Sequence, residues 1–494
     1  MKEVVIIGSG LGGLSCGVVL AKNGYHVTIL EQDFQPGGCL QCFTRKGVKF
    51  ETGMHFIGSA AEGQTLRRLL DYLEVDVKLS QLDNEAYEVI SLNGKRYPFA
   101  TGRERFVERL SELFPDQKSN LEQFCDVIEG VASASSLHSL EHTETDAAVN
   151  TQYMLRSIND VVEEVITDPV LRNVIVGNLP LYAAEKDKTP FSTYAFVMDF
   201  YNQSAWRVVG GSDHIATSLV ATLKKYGCEV LTRMKVTSID CDDKKATGVT
   251  CSDGSIFKAD IVISDAHPVR TMELCSSSMI RPAYRKRVEA IPNTVGGFSV
   301  YLRFKENTVP YMNYNFYGYQ KDTPWDCEKY TETTWPEGYL YMHFCDEEKQ
   351  QYAHSGVILS YMQMKDVEKW KGTSIGRRGA DYEQFKKEHA ERLLDALEKE
   401  FPGIRNQIAE YYTSTPLTYL DYTGTVDGGM YGVAKDINLG PAGRIHHRTK
   451  VPNLLLTGQN INSHGILGVL VGTIVTCGEL LTSEKIMEDV KNGK

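Results

Sequence analysis

The hydrophobic positions at the start of the chain predict a strand, a helix and a second strand. Residues 4–7 form a short apolar run typical of a buried strand, and residues 14–23 repeat apolar positions at helical spacing. Gly24 stands where a glycine commonly ends a helix, and residues 26–30 are a second apolar run that closes on Glu31. This end of the chain therefore predicts a β-α-β unit.

The pattern then passes from a helical segment to one that is rich in strands. Residues 101–205 carry apolar positions at a spacing of three to four, which predicts helices, and residues 212–226 predict one more. Residues 206–211 are interpreted as a turn, and residues 292–365 as strand-rich. Short apolar runs predict further strands at residues 229–231, 236–240, 246–251, 256–258 and 260–264.

The final part of the chain alternates between turns and strongly apolar elements. Residues 382–401 have the pattern of an amphipathic helix, and residues 410–440 are rich in turn residues. Residues 453–457 predict a last buried strand, and residues 465–477 form an apolar run. Because that run is shorter than the roughly 20 residues that cross a bilayer, we expect a buried helix rather than a membrane span.

Composition narrows the classes of protein and partner. A chain of 494 residues exceeds the size of a single hydrophobic core, so we expect two or more domains. The net charge of −11 disfavours nucleic-acid binding, which needs a basic surface. The start of the chain lacks the apolar stretch of a signal peptide, and the 11 cysteines are an odd, scattered set. These features predict a cytoplasmic protein with no nucleic-acid partner.

The glycine-rich turn between the first strand and the first helix has the spacing of a dinucleotide-binding motif. Residues 8–13 fit G-x-G-x-x-G, and Glu31 follows the second strand. Gly8 permits the tight turn, Gly10 lets the backbone approach a pyrophosphate, and Gly13 lets the helix pack on the strand. Free N–H groups at the helix start would hold phosphates, and Glu31 would accept hydrogen bonds from a ribose.

The glycine pair that follows Glu31 favours FAD over NAD. Gly37 and Gly38 would let the backbone run along a longer cofactor. With these glycines and with residues 50–58, the segment resembles the carotenoid desaturase and retinol saturase family of FAD oxidoreductases, which includes phytoene desaturase-like enzymes. The pattern Thr-Gly-x-His-x-Ile-Gly at residues 52–58 most resembles the retinol saturase and carotenoid isomerase branch.

The resemblance extends over nearly the whole chain and implies a set of cofactor contacts. Asn460 stands where many relatives carry an acid, and Val208 stands where the family usually has a proline. The helix that starts near Gly465 would direct its dipole at the flavin. The cofactor-binding residues implied by the resemblance are Gly8, Gly10, Leu11, Gly12, Gly13, Glu31, Gln32, Gly37, Gly38, Cys39, Met54, His55, Val236, Gly458, Gln459, Asn460, Gly465, Ile466 and Leu467.

The order of the elements predicts an α/β fold with two domains. A Rossmann-like FAD/NAD(P)-binding domain would be built from discontinuous segments, namely residues 1–100, 205–290 and 410–494. An inserted α+β substrate domain, helical with an antiparallel sheet, would comprise residues 101–204 and 291–409. The two ends of the chain are thus expected to meet at one cofactor.

Several side chains are candidates for chemistry, each beside a structural interpretation. The candidates for a catalytic proton donor or acceptor are His55, His464, Asp421 and Tyr422. A lone histidine is more often structural than catalytic. Cys39 and Cys42 form C-x-x-C, for which packing is favoured over a thiol–disulfide role. No spacing typical of metal ligands is present, so no metal is predicted.

The resemblance implies an FAD-dependent oxidoreductase that acts on the C=C bonds of a retinoid- or carotenoid-like isoprenoid lipid. Saturation, desaturation and redox-neutral isomerisation all stay open, and NAD(P)H is a candidate electron donor although no second nucleotide motif is visible. An apolar substrate of this kind also predicts peripheral contact with a membrane surface. The aromatic residues 311–319 would line an apolar tunnel, rim a membrane-docking surface or simply pack within a sheet.

Two other classes of function remain open. An amine-oxidase-like flavoenzyme acting on a polar amine would need an acidic or aromatic-caged pocket instead of a long apolar tunnel. A thiol oxidoreductase would depend on Cys39 and Cys42.

Overall fold

The computed structural model describes residues 2–140 and 147–493, so residues 141–146 of the predicted helical segment lie outside the described residues. The strands are β1 (Glu3–Ile7), β2 (His26–Leu30), β3 (Cys42–Arg45), β4 (Val48–Glu51), β5 (Ile57–Gly58), β6 (Leu79–Gln81), β7 (Glu88–Leu92), β8 (Lys95–Phe99), β9 (Ala205–Val208), β10 (Glu229–Leu231), β11 (Val236–Cys241), β12 (Ala246–Cys251), β13 (Ile256–Lys258), β14 (Ile261–Ser264), β15 (Gly296–Phe304), β16 (Asn315–Tyr319), β17 (Gly338–His343), β18 (Ser355–Met362), β19 (Ile408–Ser414) and β20 (Leu454–Leu456). The helices are α1 (Leu11–Lys22), α2 (Thr65–Tyr72), α3 (Arg103–Leu113), α4 (Lys118–Ser133), α5 (Ser136–Ser139), α6 (Ala147–Met154), α7 (Ile158–Val165), α8 (Pro169–Ile175), α9 (Phe191–Gln203), α10 (Asp213–Lys225), α11 (Pro268–Leu274), α12 (Pro282–Glu289), α13 (Ala380–Glu400), α14 (Pro416–Thr423), α15 (Gly465–Leu481) and α16 (Ser483–Lys491).

Segments from both ends and from the middle of the chain build a five-stranded parallel sheet, in the order β10-β2-β1-β14-β20. Val4 and Ile6 of β1 face a core shared with α1, α10 and α15, whereas Val5 and Ile7 face the antiparallel sheet of β11–β13. Because other elements pack on both faces of this sheet, β1 is a continuous run of apolar residues. The predicted Rossmann-like unit of discontinuous segments is confirmed.

A seven-stranded sheet in the order β19-β15-β18-β17-β16-β7-β8 forms the second large unit. Its pairs are antiparallel except for β7 with β16. The pairing moves residues 88–99 and residues 408–414 into this sheet, although the predicted boundaries gave them wholly or mostly to the cofactor domain. Strand pairing joins residues far apart in sequence, so a local pattern does not reveal it. The remaining domain boundaries stay a prediction.

Two short elements differ from their sequence-based predictions. Part of the predicted turn at residues 206–211 is strand β9, which pairs with β5 and β6. The predicted turn-rich segment at residues 410–440 contains helix α14, because Thr415 caps its start through a capping box and Pro416 occupies its first position. The candidates Asp421 and Tyr422 therefore lie on a helix rather than in a loop.

The aromatic segment around β16 packs within the large sheet. β16 is buried along its whole length, and the hydroxyls of Tyr317 and Tyr319 donate to Glu88 Oε1 at 2.7 Å and to the Gly177 carbonyl at 2.6 Å. Of the three interpretations of this segment, packing is the one that the structure supports.

The apolar run at residues 465–477 lies in α15, which is buried along most of its length as predicted. Among the described residues, no single helix is long and apolar enough to cross a membrane. Only α15 and α16 taken together reach the length and composition of a span, and they are bent by 120° at their junction.

Candidate functional site

A cavity of about 770 Å³ lies where the carboxyl ends of β1, β14 and β20 meet. The edge of a parallel sheet at which strand order changes direction is the usual place for a ligand in this class of fold. The predicted site residues that line the cavity are Gly8, Gly10, Leu11, Gly12, Glu31, Gln32, Gly37, Gly38, Cys39, Met54, His55, Val236, Asp421, Tyr422, Gly458, Gln459, Asn460, Gly465 and Ile466. Three predicted residues, Gly13, Leu467 and His464, are not part of its wall.

The glycine turn has the close approaches that its spacing predicts. Gly8 has a φ of +93°, which a residue with a side chain rarely adopts. A methyl group on Gly13 would lie 2.2 Å from the Gly8 carbonyl oxygen, so this position packs helix against strand. A methyl group on Gly12 would lie 2.7 Å from Gly458 Cα. The amino-terminal turn and the carboxy-terminal strand end therefore touch.

The carboxylate of Glu31 is fixed by three donors. It accepts hydrogen bonds from Ser9 Oγ at 2.6 Å, from the Ser9 amide at 3.0 Å and from the Asp33 amide at 2.8 Å. The Gly37 amide in turn donates to the Ser9 carbonyl at 2.9 Å. Ser9, a variable position of the motif that sequence reasoning overlooked, thus joins the first glycine turn to the acid and to the second turn.

Asp265 is a second functional candidate that sequence reasoning missed. It follows β14, and its carboxylate oxygens lie 2.5 Å from a methyl group built on Gly10 and 2.2 Å from one built on Gly458. Burial, and to a smaller extent the charge of Glu31, raises the pKa of Asp265 to about 7, although hydrogen bonds from the Gly13 and Gly10 amides act in the opposite direction. Its place at the carboxyl end of a parallel strand was the available signal.

The cofactor side of the cavity suits FAD by the chemistry of its groups. The amino end of α1 presents backbone N–H groups and a positive dipole beside side-chain-free glycines, as a pyrophosphate requires. Glu31 is placed as a ribose acceptor, and the start of α15 lies on the cavity wall. The Asn460 side chain is already engaged, because its Oδ1 accepts from the Val433 amide at 3.1 Å.

The other side of the cavity is apolar and aromatic. Its wall there consists of Phe56, Leu181, Tyr201, Leu340, Met342, Leu359, Tyr419, Met430 and Tyr431. Among the described lining residues, two acids, Glu31 and Asp265, lie against the glycine turn. The other two, Glu273 and Asp421, form ion pairs with arginines. The wall therefore presents no free carboxylate to a substrate ammonium group.

His55 lines the cavity and is backed by buried charges. Its Nδ1 lies 3.5 Å from Glu51 Oε2, and its carbonyl accepts from Arg207 at 3.3 Å. Burial raises the pKa of Glu51, while His55 and Arg207 act in the opposite direction. The ring also stacks on Phe344 at 5.9 Å between centroids. This placement is compatible with a role in catalysis or in holding the loop after β4.

His464 lies behind the cavity wall. Its ring packs on Tyr431 at 4.8 Å between centroids. Burial, and to a smaller extent the charge of Lys435, lowers the pKa of His464 to about 3. The ring is therefore neutral near pH 7 and cannot serve there as a cationic acid.

Asp421 belongs to the rim of the cavity. It forms an ion pair with Arg378, a buried side chain that also donates to the carbonyls of Trp370 and Thr373. Burial raises the pKa of Asp421, and Arg378 lowers it. This pair ties α14 to the neighbouring loop. Tyr422, by contrast, is 41% exposed.

The two cysteines of the C-x-x-C segment are free thiols. Burial raises the pKa of Cys39 to about 11 and that of Cys42 to about 12. Both are therefore protonated near pH 7, whereas thiol–disulfide exchange needs a thiolate. No group of three or more His, Cys, Asp or Glu side chains within the described residues could hold a metal ion.

Comparison with known proteins agrees with this geometry. A model of the family "Flavin containing amine oxidoreductase" matches residues 11–468. Human all-trans-retinol 13,14-reductase is 27% identical over 542 residues, covering 99% of this chain and 87% of the relative. The chloroplastic prolycopene isomerase 1 of an Oncidium hybrid cultivar is 26% identical over 94% of this chain and 81% of the relative. An oxidoreductase from Methanosarcina mazei shares the fold, with a TM-score of 0.66 at 18% identity over 96% of this chain and 99% of that chain.

Proposed function

The chain belongs to the flavin containing amine oxidoreductase family, and we propose that it binds FAD and acts on the C=C bonds of a retinoid- or carotenoid-like isoprenoid. One cavity is lined on one side by the glycine turns and Glu31, which suit a dinucleotide, and on the other side by apolar and aromatic side chains. This observation is the main support for the proposal. The similarity to a retinol reductase and to a prolycopene isomerase supports the same class of substrate.

The residues of the chain divide the work between the two sides. The first glycine turn, Glu31 and the start of α15 hold and orient the cofactor, which when bound supplies hydride chemistry. The apolar wall holds the polyene and excludes water from the reacting carbons. Saturation, desaturation and redox-neutral isomerisation share this arrangement, and the electron donor or acceptor sets the direction. NAD(P)H is the donor that we propose for saturation.

A polyene reaches this cavity from a lipid phase, and we propose that the loop at residues 371–378 touches the membrane surface. Gly372 and Thr373 line the cavity. Beyond them, Ile375 is 55% exposed, and Lys371 and Arg377 are exposed as well. An apolar tip between cations is suited to an anionic lipid surface.

The decisive experiment offers the purified enzyme both classes of substrate. Protein loaded with FAD and reduced without oxygen is mixed with all-trans-retinol or a poly-cis carotenoid in micelles, and the oxidised form is mixed with putrescine. We expect a polyene product that has gained two hydrogens or changed isomer, detected by mass spectrometry and chromatography, and no amine oxidation. Rapid oxidation of putrescine with no change in either polyene would instead establish the amine-oxidase alternative.

A pair of matched variants connects the result to the cavity. Leu181→Asp places a charge in the apolar wall, while Leu155→Asp makes the same change at a side chain that is 60% exposed. We expect the first to lose polyene turnover by about a hundredfold, on the order of burying one unpaired charge. The second should stay within about twofold of the parent.

A further inference from the structure

The first residue of β7 is an acid buried in the middle of the large core. Glu88 has no solvent exposure, and among the described residues no Lys, Arg or His forms an ion pair with it. Its two oxygens accept hydrogen bonds from Tyr317 Oη at 2.7 Å and from Asn178 Nδ2 at 3.2 Å. A buried carboxyl without a counter-ion is costly to ionise, so natural cores seldom keep one without a use.

Several buried phenols interact with this carboxyl, and one of them, Tyr317, is hydrogen-bonded to it. The tyrosines that interact electrostatically with Glu88 are Tyr87, Tyr182, Tyr194, Tyr201, Tyr317 and Tyr319. The hydroxyls of Tyr87 and Tyr182 and the Oδ1 of Asn178 are buried without a hydrogen-bond partner. The cluster therefore has spare donors and acceptors around the acid, as a proton-conducting group needs and a closed structural network does not.

One face of α9 connects this cluster to the cavity. Tyr194, Met198 and Tyr201 are spaced by four and three residues, so they lie on one side of the helix. The same Asn178 Nδ2 that donates to Glu88 also contacts Met198 Sδ at 3.3 Å, which turns this face towards the acid. Tyr201 lines the cavity.

We propose that Glu88 stores the proton for the reaction in the cavity and that Tyr201 delivers it to the substrate. The inference rests on the proposed function, in the direction of saturation. The Tyr201 O–H bond breaks and a C–H bond forms at the carbon next to the one that receives the hydride. The Glu88 O–H bond then breaks to restore the phenol, and the Glu88 carboxylate regains a proton from water. Tyr201 is the catalytic residue, and Glu88 acts through it.

The acidity of the two groups is consistent with these roles. Burial raises the pKa of Glu88 to about 7, while Tyr317 and Asn178 act in the opposite direction. The carboxyl is therefore protonated in slightly acidic solution and can exchange its proton near neutrality. Burial raises the pKa of Tyr201 as well, so the phenol keeps its proton until a strongly basic carbon is formed.

The first test measures the protonation of Glu88 in the absence of substrate. In infrared titration of the FAD-loaded enzyme from about pH 5 to about pH 9, we expect a protonated carboxyl band that Glu88→Gln removes and whose midpoint lies near 7. Tyr317→Phe removes one hydrogen bond to the carboxylate and should raise this midpoint. A Glu88 that titrates at the ordinary value for glutamate, near 4.5, would overturn the proton store whatever the substrate is.

The second test uses turnover of a polyene. Tyr201→Phe and Glu88→Gln should each slow single-turnover saturation by about a hundredfold, the size expected for loss of a general acid. The double variant should be no slower than the slower single variant. The turnover rate of the wild type should fall above about pH 7, and this part of the pH–rate profile should be absent in Glu88→Gln. Tyr352→Phe, which removes a phenol that is 38% exposed and absent from the cavity wall, should stay within about twofold.

The outcomes separate the relay from the proposed function. Multiplicative losses in the double variant, or an unchanged pH limb in Glu88→Gln, would overturn the relay while polyene turnover itself stands. A wild type that turns over no polyene would overturn the proposed function. In that case a midpoint near 7 would still support the proton store, and Tyr201→Phe should shift it by about half a pH unit if the two groups face each other.

Discussion

The cofactor side of the cavity presents mainly backbone, and the substrate side presents mainly side chains. On the first side, glycines at positions 8, 10, 12 and 458 bring main chain to the cavity wall. On the second, Leu340, Met342 and Leu359 project from neighbouring strands of the large sheet. Backbone chemistry is the same for every nucleotide phosphate, whereas side chains select one substrate class.

The largest effect is expected from adding one carbon to the cofactor side. A methyl group in Gly12→Ala would lie 2.7 Å from Gly458 Cα, which is backbone and cannot move aside cheaply. We expect FAD affinity to fall at least about a hundredfold, which corresponds to roughly 3 kcal/mol. Gly130→Ala is the matched control, because a methyl group there meets open space. Equal flavin absorbance in the two purified variants would show that the chain ends do not meet as described.

The core behind the substrate side should affect the pH dependence of the free energy of unfolding. Because burial raises the pKa of Glu88 to about 7, its favourable contribution is complete below about pH 4.5 and is lost as the pH rises through 7. As the pH rises between these two values, the free energy of unfolding of Glu88→Gln should increase by on the order of 3 kcal/mol relative to that of the wild type. Urea unfolding at about pH 5 and about pH 8.5 measures this difference. If the difference in free energy of unfolding between the two proteins does not change with pH, Glu88 ionises at the ordinary pKa of a glutamate.

A smaller effect is expected from a side chain on the cofactor side. The Asp265 carboxyl lies over the glycine turn, so its anion should repel the phosphates of FAD as the pH rises through about 7. Asp265→Asn should bind FAD about tenfold more tightly at pH 8 and should lose this pH dependence, since Coulomb repulsion in a buried site is worth at least one pKa unit. Fluorescence titration of the apoprotein provides the affinities. Weaker binding by the variant would instead make the carboxyl a ligand of the cofactor.

The smallest effects are expected at the rim. Asp421→Asn weakens an ion pair that joins α14 to the loop before α13, so we expect a loss of about 1 kcal/mol in the free energy of unfolding. Polyene turnover by this variant and by Tyr422→Phe should stay within about twofold of the wild type. A hundredfold loss of turnover in either variant, with intact folding, would restore that residue as a proton donor.

The same contrast separates what the sequence could predict from what it could not. Residues 8–13 and Glu31 act through a contiguous β-α-β unit, so their spacing alone indicates the fold and a dinucleotide site. Asp265 and Ser9 were within reach, because both lie at the carboxyl ends of predicted parallel strands. Their partners, however, become visible only when the three strands are placed side by side.

The substrate side depends on contacts between distant segments. Glu88 meets Tyr317 across the parallel pairing of β7 and β16, and Tyr201 approaches from α9. No local sequence pattern predicts such a cluster. The domain boundary predicted at residue 100 even assigned Glu88 to the cofactor domain. His464 shows the converse case, since its neighbours in sequence line the cavity while its own ring packs behind Tyr431.

The most direct test of the central claim is the absorption spectrum of bound flavin during a titration with ligand. If the cofactor side and the substrate side belong to one cavity, all-trans-retinol should change the flavin absorption bands until binding is saturated. Putrescine should cause no change, and Leu181→Asp should abolish the effect of retinol. A flavin spectrum that responds to putrescine and ignores the polyene would contradict the account.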